Sequence, residues 1–296
     1  MSKDHNLGNK NKSSEVSNIK LAFFLNLSFT IIEVIGGIWI NSIAIISDAI
    51  HDLGDTLSLG LAWFLGYYSE KEEDEKYSYG YKRFSLLSAL INTTVLIIGS
   101  FIIFYNAVPR LFSPEETNAK GMIGFAVVGI IVNGIGAFKT KEGASLNEKV
   151  VSWHLLEDVL GWAAVLVAGI IMHFIEIPIL DPLLSIAIAL YILYNVFINF
   201  KKTISLFLQA VPEDIDINEI VNRFKKIEKV IGTHHTHIWS LDNKHHVLTT
   251  HLEVDKSVSL EDITKIKKEA KSVVKNFNME HITIEIDIKQ DDCTVN

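Results

Sequence analysis

Two pairs of residues could bind a metal. His51 and Asp55 are four apart in one apolar stretch of this 296-residue chain, and His154 and Asp158 are four apart in another. On an α-helix, positions i and i+4 share a face, so each stretch offers one imidazole and one carboxylate in the same direction. Two such helices packed face to face would assemble a four-ligand N2O2 site. That set suits tetrahedral zinc, with cobalt, cadmium and manganese as weaker candidates. Magnesium and calcium ask for more oxygen ligands. A lone histidine in an apolar helix is more often an interhelical hydrogen bond. Two separate His-x-x-x-Asp pairs, each well inside its own apolar run, are hard to assign to packing, because charge at membrane depth is costly and usually faces a bundle interior or water.

Neighbouring polar residues take lesser roles. Asp48, three residues before His51, is a supporting group that either fixes the histidine tautomer or belongs to a proton path. Asp52 points about 100° away from His51 and is expected at a vestibule or a helix contact, as is Glu157. Asn26, Glu33 and Asn133 are expected to hydrogen-bond between helices.

The elements that must carry these residues are membrane spans. A helix needs about 20 mostly apolar residues to cross the hydrocarbon, and six stretches qualify by inspection, near 19–40, 43–68, 84–110, 120–139, 150–174 and 179–200. The second and fifth are the least apolar and hold the metal-binding candidates. Asn41-Ser42 leaves room only for a tight hairpin between the first two. Residues 1–18 are polar and lack a signal-peptide core, so the first apolar helix is expected to act as an uncleaved insertion signal. Basic residues gather before the first span (Lys10, Lys12, Lys20), between the second and third (Lys71, Lys76, Lys82, Arg83), between the fourth and fifth (Lys139, Lys141, Lys149) and after the sixth (Lys201, Lys202). The positive-inside rule then places both termini in the cytoplasm.

Composition agrees with a membrane part followed by a soluble one. The chain is 49% hydrophobic with a net charge of −8 and a mean hydropathy of +0.27; the long apolar runs lie before residue 200 and the charge lies after 212. The negative balance and the absence of a basic stripe give no support to nucleic-acid binding. Cys293 is the only cysteine among 296 residues, which excludes an intrachain disulfide and a thiolate zinc site and leaves histidine as the main nitrogen ligand. No GxxxxGK[ST] loop is present to couple ATP. Nothing points to an enzyme or a catalytic cofactor.

After Pro212 the pattern becomes αββαβ: an amphipathic helix near 216–227, strands near 233–241 and 245–254, a helix from Leu260 to about Phe277 capped by Ser259, and an alternating strand near 281–288. That order predicts a small α+β domain with a sheet covered by helices on one face. Alternation sets Glu285 and Asp287 on the polar face of the last strand, opposite its isoleucines, and puts His251 on a face with His245.

Several of these segments resemble the cation diffusion facilitator family of zinc transporters. SIAIISDAIHDLGD (42–55) is similar to its second-helix motif, YGYKRFSLLSALIN (79–92) to the motif leading into its third helix, and EGASLNEKVVSWHLLED (142–158) to its SLN and His-x-x-x-Asp fifth helix; HHTHIWSL (234–241) resembles its cytoplasmic His-x-x-His-hydrophobic-Trp strand. The resemblance covers nearly the whole chain after residue 19. It implies a homodimeric, proton-coupled exporter with a six-helix transport domain (19–205), preceded by a short cytoplasmic tail (1–18) and followed by a ferredoxin-like, metallochaperone-like cytoplasmic domain (206–296). It implies that His51, Asp55, His154 and Asp158 form the transport site, and that the histidine at position 51 favours zinc over cadmium. It also implies that His234, His251 and Asp287 bind regulatory zinc, with Glu285 a neighbour that joins a second ion; His235, His237, His245, His246 and His281 are substitutes for those histidines. A bacterial cytoplasmic membrane is the expected location. The sequence departs from many relatives in lacking histidines between the fourth and fifth helices and in the loop after the second, so the acidic segment 69–82 is expected to be solvated. The alternative from another class is a membrane sensor that binds zinc without moving it.

Overall fold

The computed structural model describes residues 23–24, 26–141 and 146–289, with the side chains of 62, 63, 136 and 139–154 outside the described set. Six long helices come first: α1 (Asn26–Ile40), α2 (Ile43–Ser69), α3 (Phe84–Phe112), α4 (Ala119–Lys141), α5 (Leu146–Ile175) and α6 (Leu180–Phe207). Among the described residues, three stretches are long and apolar enough to cross a membrane: Phe84–Phe112, Leu155–Ile175 and Leu180–Phe207. Asn26–Ile40 and Ala119–Ile135 are shorter apolar helices. Helix α2 is not among the three; Asp48, Asp52 and Asp55 fall within eight residues of it. The expectation of six spans is therefore met by six helices but by only three clear spans.

The chain divides into two compact units, one of residues up to Phe64 with Ile91–Asn199 and one of Leu65–Leu90 with Phe200 onward. In the first, small residues let the helices approach closely. A Cβ on Gly129 of α4 would stand 2.3 Å from Trp162 of α5, and one on Gly36 of α1 would stand 2.0 Å from Phe125 of α4. Trp162, Val165, Met122, Ala126, Ala44 and Ile45 pack together as the bundle's core. Large apolar side chains such as Trp39, Phe101, Tyr105 and Phe174 are exposed instead. An outer surface of that kind fits lipid, and helices suit it because they satisfy their own backbone polar groups.

The turn between α1 and α2 is a Schellman motif. Asn41 takes φ 59°, its N–H donates to Ile38 O at 3.2 Å and the Ser42 N–H donates to Gly37 O at 2.9 Å. Arg110 at the end of α3 donates to Asn41 O at 3.1 Å and to its Oδ1 at 2.6 Å. The start of α2 is capped twice. Ser42 Oγ accepts from Ile45 N at 3.2 Å, and the buried Asp181 of α6 accepts from Ser42 Oγ (2.5 Å), Ile43 N (2.8 Å) and Ala44 N (3.3 Å). A carboxylate there satisfies orphan helix donors and complements the positive end of the dipole.

The second unit contains α7 (Ile217–Phe224), β1 (Val230–Ser240), β2 (His246–Val254), α8 (Leu260–Val273) and β3 (Met279–Ile288). The sheet is mixed, with β2 central, antiparallel to β1 and parallel to β3. Ile220 and Phe224 of α7 and Ile266 and Ala270 of α8 pack on Ile238, Leu248, Leu252 and Ile284 of the sheet. The expected order αββαβ stands, with α7 ending earlier than expected, β1 beginning earlier, and the end of the second helix replaced by a 3-10 turn at Lys275–Phe277. Ser259 caps α8 through a capping box with Asp262.

The connection between α2 and α3 belongs to this unit, and its acidic residues Glu70, Glu72, Glu73, Asp74 and Glu75 are exposed, as expected. Asp74 accepts from Lys76 N (2.9 Å), Tyr77 N (2.8 Å) and Tyr81 Oη (2.7 Å). The Tyr81 hydroxyl, with these N–H groups, holds the Asp74 carboxyl below its ordinary value, and the phenol is pushed up to about 12. Lys82 Nζ then reaches Glu280 Oε1 of β3 at 2.5 Å, and the Tyr79 ring lies edge-on to His281 at 5.1 Å.

Two outcomes follow for stability. Replacing Asp181 with Ala strips the start of α2 of its acceptor and is expected to destabilise the bundle by roughly 2–4 kcal/mol, seen as a lower melting temperature in detergent; an unchanged temperature contradicts this. Asp262 is held down to about 2, chiefly by Lys229, whose Nζ lies 2.6 Å away. Its pKa is depressed in the fold, so its contribution is complete above the ordinary value near 3.8 and is lost as pH falls toward 2. Lys229→Ala is expected to move acid unfolding of this second unit to higher pH, followed by Trp239 fluorescence.

Candidate metal centres

The first candidate centre lies where α2 meets α5. His51 Nε2 stands 3.9 Å from Asp55 Oδ2 and 3.9 Å from Asp158 Oδ1. The side chains are 28%, 30% and 11% exposed, so all three are partly enclosed. These separations are too long for hydrogen bonds. Ligand atoms around a tetrahedral zinc at 2.0–2.2 Å would stand about 3.4 Å apart, so the two separations from His51 are each about half an ångström longer than in a closed site. His154 occupies α5 one turn before Asp158; its side chain lies outside the described residues. Three of the four sequence-derived ligands are thus brought together, and the backbone of the fourth is on the same helix as Asp158.

The groups around this centre fall into place through close helix packing. Asp48 is buried, and its Oδ1 would be 3.8 Å from a Cβ on Gly161, three residues beyond Asp158. Asp52 is buried as well and forms a helix contact, its carbonyl accepting from Asn26 Nδ2 at 3.1 Å. Asn26 also donates to Thr56 Oγ1 at 3.1 Å, the interhelical role expected of it. Asn133 instead donates to Gly129 O of its own helix at 3.1 Å, so the expected interhelical bond is replaced by a local one. Glu33 is fully buried on α1, and Glu157 accepts from the Tyr191 hydroxyl of α6.

The second candidate centre is on the sheet of the cytoplasmic unit. His234 of β1 is paired in register with His251 of β2, which is paired in turn with Glu285 of β3. One ligand atom from each of His234, His251 and Asp287 lies within 4.8 Å of the other two. Asp287 Oδ2 is 2.9 Å from His251 Nδ1 and 3.0 Å from His234 Nε2. The His234 Nε2 atom is buried, yet no partner meets it with hydrogen-bond geometry. A nitrogen so placed, beside a second imidazole and a carboxylate, fits a zinc ion in chemistry and in spacing. Glu285 is more distant, 3.5 Å from His251 Nε2 and 64% exposed.

Three other histidines lie apart from this cluster. His245 does not join His251; its Nδ1 lies 2.7 Å from Asp242 Oδ2 in the hairpin turn. His246 is buried, and burial holds its pKa below the ordinary value. His281 packs on Tyr79. Sequence reasoning missed Asp181; its place in the first turn before Pro182 marks a helix start but gives no hint of its partners on α2.

Packing behind the first centre is testable. Trp162 follows Asp158 by one turn and lies over Gly129. Gly129→Val should displace Trp162, cost about 1–3 kcal/mol and weaken zinc binding at the α2–α5 centre. Gly124→Val, whose Cβ meets nothing within 4 Å, should do neither, with melting temperature and calorimetric zinc titration as the two readouts.

Known proteins carry the same two parts. Residues 19–208 match the cation efflux transmembrane domain and 212–289 the cytoplasmic domain of cation efflux proteins. The chain is 30% identical to the cadmium, cobalt and zinc/H(+)-K(+) antiporter of Bacillus subtilis, across 94% of this chain and 91% of that protein. It is 32% identical to the metal cation efflux system protein CzcD of Cupriavidus metallidurans, across 97% and 89%. It is 27% identical to the zinc transporter ZitB of Escherichia coli, across 93% and 89%.

Proposed function

The chain belongs to the cation efflux family, the cation diffusion facilitators, and on that premise we propose that it is a proton-coupled antiporter exporting divalent transition metal, zinc first, from the cytoplasm. The observation that carries the reading is the approach of His51 on α2 to Asp158 on α5 at 3.9 Å, with Asp55 at 3.9 Å from the same imidazole, inside an apolar bundle. His154 completes the N2O2 set, and Asp48 supports it from the α5 side of α2. The names of the relatives, which include zinc, cadmium and cobalt, support the same cargo class.

The mechanism follows from ligand chemistry. An imidazole binds metal only when neutral and a carboxylate only when ionised, so metal loading expels protons and protonation expels metal. A site open to one side and then the other exchanges the two ions without further chemistry. The proton gradient supplies the free energy, and zinc is the substrate rather than a resident cofactor.

The architecture belongs to the same proposal. All six helices span the membrane in a transport domain of 19–205, with the tail 1–18 and the ferredoxin-like domain 206–296 in the cytoplasm. The bilayer is a bacterial cytoplasmic membrane and the working unit is a homodimer. His234, His251 and Asp287, with Glu285 beside them, bind cytosolic zinc and report its level. Zinc held there offsets acidic charge and draws the two cytoplasmic domains of the dimer together.

Flux tests the proposal. Purified protein in vesicles holding a zinc dye, acid inside and neutral outside, should accumulate zinc. Asp55→Ala and Asp158→Ala should each reduce the initial rate by at least about 100-fold, as expected when a group required for the step is removed. A membrane sensor would bind zinc with no accumulation, and that result would overturn the transporter reading.

A further inference from the structure

Strict alternation along β1 would set His234 and His235 on opposite faces of the sheet. The structure does not obey it. The β1–β2 register runs from His234 opposite His251 directly to His237 opposite Thr249, so His235 and Thr236 together face Thr250. This is a β-bulge, a device that re-aims a side chain. His235 takes φ 46° within it, a left-handed backbone that few non-glycine residues adopt. Thr236 then turns to the buried side, its hydroxyl 2.8 Å from that of Thr250. The His235 ring comes to the same side as His234 and His251.

The three imidazoles form a nearly equilateral triangle. Ring centroids are 5.3 Å apart for His234 and His235, 5.2 Å for His234 and His251, and 5.4 Å for His235 and His251. A zinc–nitrogen bond of 2.0–2.1 Å and a tetrahedral angle place the centroids of two coordinated imidazoles about 5.2 Å apart. Asp287 lies against His234 and His251; the exposed His235 stands just outside the 4.8 Å group formed by those three and joins it by turning its ring inward. His237, on the same strand, is less well placed, its ring 6.3 Å from that of His235.

We propose that His235 is a third imidazole ligand of the cytoplasmic metal centre, making it a closed His3Asp zinc site presented by the bulge. This rests on the reading of His234, His251 and Asp287 as a metal centre. A closed four-ligand site leaves no coordination position open. It would hold its ion more tightly than a three-residue site with one open position. Glu285 is then an outer partner of His251 and not a ligand.

The test uses the full-length protein in detergent, carrying Asp55→Ala and Asp158→Ala to silence the α2–α5 centre. Zinc affinity is read by competition with a chelating dye, and cobalt(II) replaces zinc to report coordination through its visible spectrum. His235→Gly and His235→Asn both tolerate the left-handed backbone, and unchanged melting temperature in chelator confirms their fold. Loss of an outer partner already costs a metal site about 10–100-fold, so each variant should lose at least about 100-fold in zinc affinity and most of the intense four-coordinate cobalt band. His237→Ala should lose neither. If His251→Ala abolishes binding while both His235 variants keep the parent affinity and spectrum, His235 is not a ligand and the three-residue site stands. If His237→Ala reproduces the loss, the third imidazole is assigned to the wrong residue. If His251→Ala also binds as the parent does, the metal-centre reading fails and the proposal with it.

Discussion

Carboxylates inside an apolar bundle must be satisfied by the bundle itself. Asp48, Asp52, Glu33 and Asp181 are all buried between helices whose outward side chains are apolar, and each carries a heavy desolvation cost. Asp181 is satisfied structurally, by three donors at the start of α2. It fixes the end of the helix that carries His51 and Asp55. Asp55 and Asp158 each approach the His51 imidazole to 3.9 Å.

The same helices pack closely around this place. Small residues at Gly129, Gly54 and Gly161 bring α4, α3 and the Asp48 carboxyl close to their neighbours. Large rings fill the space such glycines leave, Trp162 over Gly129 and Phe125 over Gly36, so the helices pack closely. The core around Trp162 links α5 to α4, so a shift that moves Asp158 carries the bundle core with it. In the cytoplasmic unit the ligands come instead from sheet strands, where backbone pairing fixes their spacing.

Much of the first centre was legible in the sequence because its signal is local. Four-residue spacing needs no knowledge of long-range contacts, and two helices so marked must meet if both are to be satisfied. The six helices were legible from apolar length, though the carboxylates of α2 lower its apolarity for the very reason that makes it functional. Asp181 was not legible as a cap, because its partners lie near residue 43 and nothing local records a contact across 138 positions. Asp74 read as one acid among several in a solvated loop; the loop is exposed, and the two Asp74 oxygens also organise its turn. His235 was only one of several substitute histidines in the sequence, since alternation places it on the wrong face. A bulge is a pairing event, visible only once β1 and β2 are in register.

The central claim is that protons and metal compete for one set of ligands in the membrane. It is tested most directly by imposing a zinc gradient on vesicles of equal internal and external pH and recording internal pH. Zinc moving in should drive protons out, so the interior becomes alkaline. Asp158→Ala should abolish both movements together. Zinc crossing at full rate with no change in internal pH would show that the ligands do not exchange the two ions, and would contradict the account.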